Sequence, residues 1–527
     1  MLIRTWMWIW MPAVATIAAT TPASDTYTAA ALADEVVGLP GTTSLRLPFR
    51  HFSGYLSVPG YRGASKRMHY WFVESNKHPA TDPVAFWTNG GPGCSGLIGF
   101  FTEQGPFKAA ANGTTLTLNA YAWNAVANMV FIESPVGVGF SFSTFPEDYR
   151  SGDASVARDN YELIQAFYVR FPQYRSNPMY ISSESYGGHY LPTLAKVIVD
   201  ENQAPSSSAN VALPFKGLAV GNPYTDTYSG TGAMVDTLWG HQLIAQPVYE
   251  AYRNACYVHI PFDAYGCDRL TSTVLTGIGI LNYYALDFPV CLSDQLAFDK
   301  DGGRQGGGGG EVTRGRLSLA INTRGGVRTA PQRPTAGTAR RSAQRLWLLR
   351  HLLRSDVLSK ALQSDPAAAA GTAVGYEPCG DDYTTAYLNQ PAVKAALHVN
   401  TSIVWTECSS SIDYHNSEVD QSTVPLFKEL IDRGDLDVLV YSGDDDSVCA
   451  TVGTQNWVWG LGYPVADDDR WLEYVVGGQV AGYLTRFRGH RFALLTVHGA
   501  GHEVPTYRPA EALDMWTRYL DGEFTNG

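Results

Sequence analysis

Six short apolar runs are spread along the chain, and each one ends in a turn rich in glycine, serine, aspartate, asparagine or histidine. The runs are Val84–Trp87, Met129–Ile132, Met179–Ser182, Leu218–Val220, Val438–Tyr441 and Leu494–Val497. Short apolar runs separated by helical patterns indicate an α/β fold. Because open α/β sheets bind ligands at the carboxyl ends of their strands, the turns after these runs are where we expect a functional site.

Helical periodicity is clearest in two segments. The segment Ala154–Phe171 carries apolar residues at a spacing that predicts one buried helical face. The residues of that face are Val156, Leu163, Ile164 and Phe167. Near the end of the chain, Pro509–Leu520 is typical of a terminal helix, because Gly522 stands just past its last residue.

The composition excludes two classes of protein. The chain has 527 residues, of which 45% are hydrophobic and only 17% are charged, so a sizeable core is expected rather than a disordered chain. Its 50 acidic residues outnumber 38 lysines and arginines, which gives a net charge of −12. Nucleic acid is not expected as a partner, because phosphate binding needs a basic surface.

The first residues predict a signal peptide over residues 1–23. One basic residue precedes an apolar run that reaches about Ala19, and small residues follow it up to Ser24. An ordinary buried helix or a membrane anchor is the alternative, but the threonines in this segment disfavour a membrane span. No later stretch has eighteen uninterrupted apolar residues, so no stable membrane insertion is expected.

Cysteine usage fits the same secretory route. The seven cysteines lack any CxxC pair, so the spacing of a zinc or thioredoxin-like site is absent and no metal is predicted. In a secreted chain they indicate disulfides, with one thiol left over. The triplets Asn112-Gly-Thr and Asn400-Thr-Ser are predicted glycosylation sites.

One internal segment differs from the rest of the chain. Residues 301–354 hold eleven arginines and two acidic residues, together with the glycine run Gly306–Gly310. Such a composition does not build a packed core, which predicts an exposed, protease-sensitive linker. A basic patch for an acidic partner and an artefact of the gene model are the alternatives.

A serine stands at the predicted turn between a strand and a helix. The stretch Met179-Tyr-Ile-Ser-Ser-Glu-Ser-Tyr-Gly-Gly-His is typical of a nucleophile elbow centred on Ser185, with Gly187 leaving room for the tight turn. Ser183 replaces the usual first glycine of that motif. A serine-rich turn without function would look similar, so the motif alone is weak.

Two further strand ends supply an acid and a base. Asp444, Asp445 and Asp446 follow the run at Val438–Tyr441, and a carboxylate there can orient an imidazole. His502 follows the last apolar run on a glycine-rich loop. The order serine, aspartate, histidine along the chain is that of α/β-hydrolases, and together the three strand ends predict nucleophilic catalysis.

A glycine-rich loop follows the first run, in Trp87-Thr-Asn-Gly-Gly-Pro-Gly-Cys-Ser-Gly. Consecutive glycines expose backbone N–H groups, as an oxyanion hole requires. A simple turn or a phosphate-binding loop is the alternative, but a phosphate loop needs Lys-Ser/Thr after its glycines, and none is present.

With these motifs the chain resembles the serine carboxypeptidases from Leu39 to Gly522. The resemblance rests on the glycine-rich loop, on the elbow, and on Glu133-Ser-Pro-Val-Gly-Val-Gly-Phe-Ser and Gly501-His-Glu-Val-Pro. It implies an α/β-hydrolase fold with a mixed, mostly parallel sheet and a helical cap insertion. It also implies that Ser185 is the nucleophile, Asp446 the orienting acid and His502 the general base.

The resemblance implies roles for further residues. The backbone N–H groups of Gly91 and Tyr186 would form the oxyanion hole. The C-terminal carboxylate of the substrate would be bound by Asn89, Gly90, Glu103 and Glu184. Two adjacent carboxyls cannot both ionise cheaply, so one keeps a proton in mild acid and can donate to that carboxylate. An acidic pH optimum is therefore expected.

The resemblance also implies disulfides between Cys94 and Cys379 and between Cys256 and Cys267. Cys291, Cys408 and Cys449 stay unassigned. A Cys408–Cys449 bridge is one alternative, and a free Cys449 near the active site is another.

The predicted organisation is a hydrolase core in two parts around an insertion. The core would comprise residues 24–227 and 375–527, and the cap, with the basic linker at 301–354, would comprise residues 228–374. Some relatives excise a linker at this place, which gives a two-chain enzyme.

The expected function is that of a serine-type carboxypeptidase acting on peptide or protein C-termini, without a metal or organic cofactor. Extracellular, vacuolar and lysosomal locations are all compatible with the predicted secretory route. An acyltransferase or esterase on the same scaffold and a non-catalytic protective partner are the alternatives. The side-chain preference is left open, as is the choice between a monomer and a homodimer.

Overall fold

The computed structural model describes residues 27–256, 264–279, 281–291, 376–419, 421–465 and 469–525. The predicted signal peptide at 1–23 and the predicted linker at 301–354 lie outside the described residues. The predicted cap at 228–374 is described only up to residue 291, with the gaps given above.

Fourteen strands are found in the described part of the chain. They are β1 (His51–Pro59), β2 (Ser65–Val73), β3 (Val84–Thr88), β4 (Phe107–Ala109), β5 (Leu116–Leu118), β6 (Asn128–Ile132), β7 (Arg150–Ser151), β8 (Met179–Glu184), β9 (Phe215–Gly221), β10 (Asp413–Tyr414), β11 (Asp437–Gly443), β12 (Leu472–Val476), β13 (Gln479–Arg486) and β14 (Phe492–Val497).

Helices cover both faces and the ends of the sheet. The α-helices are Ala29–Ala33, Leu97–Thr102, Asp153–Arg170, Gly187–Gln203, Thr227–Gly240, Gln246–Cys256, Ala264–Ile278, Gly380–Leu388, Pro391–Ala396, Asn416–Val419, Val424–Asp432, Thr451–Gly460, Val504–Tyr507 and Pro509–Leu520. Short 3₁₀ turns lie at Tyr61–Gly63, Trp123–Ala125, Pro146–Tyr149 and Pro172–Tyr174. No helix among the described residues is long and apolar enough to cross a membrane.

The main sheet has ten strands in the order β1-β2-β6-β3-β8-β9-β11-β14-β13-β12. The six strands from β6 to β14 pair in parallel, and two antiparallel strands extend the sheet at each edge. All six predicted strands are confirmed, and they are the six parallel strands. The sheet is thus mixed and mostly parallel, as the resemblance implies.

The antiparallel strands β1, β2, β12 and β13 were not predicted. Strands buried on both faces are continuously apolar, whereas edge strands alternate between core and solvent. In β13 only four of eight residues are fully buried, and exposed Val480 and Tyr483 break any continuous pattern. A search for apolar runs therefore misses strands such as β13, whereas β2 was overlooked although Tyr70–Val73 form a continuous buried apolar run.

Successive residues of each central strand enter two separate cores. Phe86 packs on the face covered by the helices Asp153–Arg170 and Gly187–Gln203, while its neighbour Trp87 packs on the opposite face. The same division separates Val440 from Tyr441 in β11. This alternation determines which of the two cores each side chain of a central strand enters.

Both predicted helices are present. The first runs over Asp153–Arg170, one residue earlier than predicted, and its four predicted face residues are buried. The second, Pro509–Leu520, has the predicted bounds. Gly522 follows it with φ = 77°, a conformation that ends a helix readily when the residue is glycine.

The described part of the predicted insertion is mostly helical. Thr227–Gly240, Gln246–Cys256 and Ala264–Ile278 share an apolar cluster of their own, which includes Val235 and Tyr252. A separate cluster allows these helices to pack as a unit over the carboxyl edge of the sheet.

The structure contains three disulfides among the described residues. Cys256 pairs with Cys267, which confirms that prediction. The predicted Cys94–Cys379 bridge is wrong, because Cys94 pairs with Cys408 and Cys379 pairs with Cys291. Cys449 is free and buried, so a Cys408–Cys449 bridge is also wrong.

The backbone around Cys94 explains its partner. Cys94 and Cys408 face each other across an antiparallel bridge, with their Cα atoms 3.9 Å apart. Ser95 donates its N–H to Glu407, and Ser409 donates to Gly93, so both flanks of the bridge are hydrogen-bonded. No spacing rule in the sequence reveals that these two segments, separated by 314 residues, run side by side.

Phe167 is the residue whose loss should most weaken the helix-covered core. Its ring lies 5.2 Å from those of Phe72 and Phe86 and 4.9 Å from that of Phe171. We expect Phe167→Ala to lower the free energy of unfolding by about 3–5 kcal/mol through the cavity it leaves. Urea denaturation followed by tryptophan fluorescence measures this loss.

Val169 on the same helix provides the control, because it is 64% exposed. Val169→Ala should change the free energy of unfolding by no more than about 0.5 kcal/mol. Equal losses in the two variants would contradict the packing described for this helix.

Candidate active site

The carboxyl ends of five neighbouring parallel strands meet at one edge of the sheet. The loop after β3 carries Asn89, the turn after β8 carries Ser185, and the turn after β9 carries Asn222. Asp446 follows β11, and His502 follows β14. Sheet order therefore brings together side chains that are widely separated in the sequence.

Ser185 occupies a strained turn between β8 and the helix Gly187–Gln203. Its φ of 58° lies in the left-handed region, which is unusual for a residue other than glycine. Backbone hydrogen bonds hold it there: its N–H donates to Gly221 at 3.0 Å, and its carbonyl accepts from Gly188 at 2.9 Å. Such strain persists where the surroundings fix it, and it turns the serine side chain toward the edge of the sheet.

Ser183, at the position of the usual first glycine, is accommodated by Gly187. Ser183 is fully buried, and its hydroxyl occupies the space that a Cβ on Gly187 would need. The elbow tolerates this serine because its neighbour has no side chain.

His502 and Asp446 form a buried pair. The Nδ1 atom of His502 lies 2.6 Å from a carboxylate oxygen of Asp446, and both side chains are almost wholly inaccessible. The same carboxylate accepts from the Asn222 amide at 2.9 Å and from the backbone N–H of Val448 and Cys449. With Nδ1 engaged in this way, Nε2 is the ring atom left to act on another group.

The other two aspartates of this turn do not reach His502. Asp444 contacts the Nδ1 atom of His498 at 2.8 Å, near the surface. Asp445 accepts a hydrogen bond from the backbone N–H of Asp287. Of the three candidates, Asp446 is the one that geometry places beside the histidine.

Ser185 and His502 line the same cleft, which has a volume of about 370 Å³. His502 donates its backbone N–H to Tyr284 at 2.6 Å, and the Tyr284 ring lies edge-on to the imidazole at 5.0 Å. Tyr284 belongs to the segment 281–291, so the insertion contributes one wall of the cleft.

The glycine-rich loop approaches the elbow very closely. A Cβ on Gly90 would lie 2.5 Å from the backbone nitrogen of Tyr186, so only glycine fits there. Among the described residues, the N–H groups of Gly91 and Tyr186 have no hydrogen-bond acceptor. Tyr186 also caps the N-terminus of the helix Gly187–Gln203, where negative charge is favoured.

Asn89 joins two buried glutamates. Its amide nitrogen donates to Glu103 at 2.8 Å and to Glu184 at 2.6 Å. Its oxygen accepts from the indole N–H of Trp87 at 2.8 Å and from the backbone N–H of Gly99. Because the oxygen is held on one side, the amide nitrogen has to face the two carboxyls.

Both glutamates resist ionisation. Burial raises the pKa of Glu103 to about 7, against the lowering effect of the hydrogen bond from Asn89. Burial also raises the pKa of Glu184 well above its usual value, and the nearby charges of Glu103 and Glu503 add to this effect. The pair therefore retains a proton in mild acid.

A third glutamate, Glu503, is half-buried and lines the cleft immediately after His502. Burial and the neighbouring carboxylates of Glu103 and Asp381 raise its pKa well above the usual value. Lys108 is the lysine on the cleft wall; burial lowers its pKa, and it donates to the backbone oxygen of Thr102. The cleft is thus rich in carboxyls.

Sequence reasoning missed Asn222, Tyr284 and Glu503. Asn222 stands two residues after the predicted strand Leu218–Val220, and a polar residue at that position was an available signal. Glu503 stands next to a predicted base, but adjacency alone does not reveal that its side chain faces the cleft. Tyr284 lies in the insertion, where the sequence carried no signal.

The free thiol of Cys449 belongs to this neighbourhood. It is buried within hydrogen-bonding reach of the Ser185 hydroxyl, and burial followed by the charge of Asp446 raises its pKa well above the usual value. The thiol is therefore uncharged where it contacts Ser185.

Comparison with known proteins agrees with this geometry. The family model described as serine carboxypeptidase matches residues 40–522. Serine carboxypeptidase-like 34 from Arabidopsis thaliana is 33% identical over 498 residues, which cover 93% of this chain and 89% of that protein. Serine carboxypeptidase 1 from Hordeum vulgare is 32% identical over 499 residues, with coverages of 93% and 92%.

The fold is found among solved structures as well. The prohormone-processing carboxypeptidase Kex1(delta)p from Saccharomyces cerevisiae superimposes with a TM-score of 0.66 at 18% identity, covering 93% of this chain and 96% of that one. With the motifs and the α/β-hydrolase sheet described above, the chain belongs to the serine carboxypeptidase family of hydrolases.

Proposed function

We propose that this chain removes single amino acids from the C-termini of peptides and proteins through an acyl-enzyme on Ser185, at acidic pH. The observation that carries the proposal is a shared cleft. Asn89 and Glu184, with proton-retaining carboxyls around them, line the same cavity as Ser185 and His502. A nucleophile beside a site for a carboxylate is what cleavage of the last peptide bond requires.

In the first half-reaction, the Ser185 hydroxyl attacks the carbonyl carbon of the last peptide bond. Nε2 of His502 takes the hydroxyl proton, and Asp446 stabilises the imidazolium through its 2.6 Å contact with Nδ1. The N–H groups of Gly91 and Tyr186 are the proposed donors to the oxyanion. His502 then protonates the leaving amino group, and the C-terminal amino acid departs.

In the second half-reaction, water attacks the ester on Ser185. His502 accepts a proton from that water and returns one to the serine oxygen, which releases the shortened peptide. Neither half-reaction calls for a metal or an organic cofactor.

Substrate binding is proposed to depend on protonation. A neutral Glu103 or Glu184 donates a hydrogen bond to the terminal carboxylate of the peptide, next to the Asn89 amide and the backbone of Gly90. When both glutamates are ionised, they repel that carboxylate. The raised pKa of Glu103, about 7, supports an acidic optimum.

Passage through the secretory pathway is proposed as well. Three disulfides support it, because such bonds persist in oxidising compartments. The predicted glycosylation site Asn112 is exposed, whereas Asn400 is half-buried, so Asn112 is the more accessible acceptor.

The alternatives receive less support. An acyltransferase or esterase needs no receptor for a peptide carboxylate, yet Asn89, Glu103 and Glu184 form one at buried positions. A non-catalytic protective partner needs no strained elbow at Ser185 and no buried pair of Asp446 with His502.

Ser185→Ala is expected to lower kcat/KM for a blocked dipeptide by roughly 10⁴-fold or more, because the nucleophile is removed. Release of the C-terminal amino acid at pH 5 measures this effect, and circular dichroism checks that the fold is kept. Ser183→Ala is the matched control, because Ser183 faces Gly187 within the turn. Ser183→Ala should lower kcat/KM by only a few-fold. A larger loss in Ser183→Ala than in Ser185→Ala would identify Ser183 as the nucleophile.

The pH profile tests the carboxylate receptor. For the unaltered chain we expect kcat/KM to begin to fall as the pH rises through about 7, where Glu103 loses its proton and becomes a negative charge next to the terminal carboxylate. We expect kcat/KM to fall further as Glu184 ionises at higher pH. In Glu103→Gln/Glu184→Gln the amides stay neutral, so the activity that remains should not show this fall. Rates between pH 4 and pH 8 measure both profiles.

Peptide amides serve as the substrate control. They carry no terminal carboxylate, so they should be cut slowly and without the fall near pH 7. If kcat/KM fell in the same way above pH 7 in the unaltered chain and in the double variant, the proposed role of the two glutamates would be contradicted.

A further inference from the structure

The turn after β11 carries a buried carboxylate that the proposed mechanism does not use. Asp445 is only 2% exposed. One of its oxygens accepts a hydrogen bond from the backbone N–H of Asp287 at 3.0 Å. The other, Oδ1, is buried and has no hydrogen-bond partner among the described residues. A buried carboxylate oxygen without a partner is costly, so it indicates a group that is bound there.

Two side chains from the predicted insertion lie close to the Asp445 carboxylate. The Nδ1 atom of His241 lies 4.0 Å from Oδ1 of Asp445. One ligand atom each from His241, Asp287 and Asp445 lie within 4.8 Å of one another. His241 directly follows the helix Thr227–Gly240, and Asp287 lies in the segment 281–291, so three separate parts of the chain meet here.

We propose that His241, Asp287 and Asp445 bind one zinc ion. One imidazole nitrogen and two carboxylate oxygens form a donor set that suits Zn²⁺, whereas Ca²⁺ and Mg²⁺ prefer oxygen ligands alone. The positive ion offsets the two adjacent carboxylates and satisfies the unpartnered oxygen of Asp445. Water completes the coordination from the exposed side.

The geometry needs only a small adjustment. Zinc bonds to nitrogen and oxygen are about 2.0–2.2 Å long, so each ligand atom has to move inward by less than about 1 Å. The His241 side chain is 32% exposed and can make this movement without disturbing a packed core. Asp287 is also exposed.

Zinc at this position would join the insertion to the turn that bears Asp446. The backbone already connects them: Leu286 donates its N–H to the Asp445 carbonyl at 3.0 Å, and Ser447 donates to Tyr283 at 3.0 Å. The ion would strengthen this junction and hold the cleft wall in place. It would not touch the substrate.

Zinc binding by the full chain tests the proposal. After removal of metal with EDTA, titration with ZnCl₂ in a calorimeter should give one ion per chain. His241→Ala and Asp287→Asn should each weaken binding by at least ~100-fold, because each removes one of three protein ligands. Zinc should raise the Tm of the unaltered chain and leave that of His241→Ala unchanged.

His498→Ala is the matched control, because His498 lies 2.8 Å from a carboxylate oxygen of Asp444 in a pair of the same chemistry at the surface. It should bind zinc as the unaltered chain does. Asp445→Asn tests the buried ligand and should also weaken zinc binding. If that variant does not fold, His241→Ala and Asp287→Asn decide the outcome.

Two results would overturn the zinc site: no stoichiometric binding by the unaltered chain, or equal affinity in the unaltered chain and His241→Ala. The same titration on Ser185→Ala should give one ion per chain, which makes the result independent of peptidase activity.

Discussion

The parallel hydrogen-bond ladders at the centre of the sheet are the constraint on which the site depends. They pair Thr88 with Ser183 and Gly443 with Val497, so the loops that follow leave the sheet at matching heights. A shift by one residue would turn every side chain of a strand to the other face. Backbone pairing thus sets the positions of the proposed nucleophile, acid and base, and their own contacts add to it.

Burial then determines the protonation of the two glutamates at the site. In water, Glu103 and Glu184 would both be ionised at neutral pH. Within the core they share one amide donor, Asn89, whose oxygen is held by Trp87 and Gly99. Because an amide fixed in this way cannot turn its donors elsewhere, the carboxyls stay paired at the cleft, and burial favours their neutral forms.

The sequence predicted the centre of the molecule better than its margins. Continuous apolar runs revealed the parallel strands, and the turns after them held the elbow, the aspartates and His502. Polar or exposed residues interrupt the apolar pattern of β1, β12 and β13, so these strands were missed, whereas the continuous apolar run Tyr70–Val73 of β2 was overlooked. The Cys94–Cys408 bridge was also missed, because its partners meet through tertiary contacts that no local spacing encodes. Asn222 stands just after a predicted strand, but no sequence motif indicates its role.

The three consecutive aspartates of one turn contact three different parts of the molecule. Asp444 contacts a surface imidazole, Asp445 faces the insertion, and Asp446 contacts the imidazole of His502. These carboxylates share one short stretch of backbone, so a constraint on Asp445 also limits the movement of Asp446. The position of the insertion is therefore coupled mechanically to the orientation of the proposed general base. Tyr284 from the same segment packs on His502 and accepts its backbone N–H, so the cleft wall also helps to hold the imidazole in place.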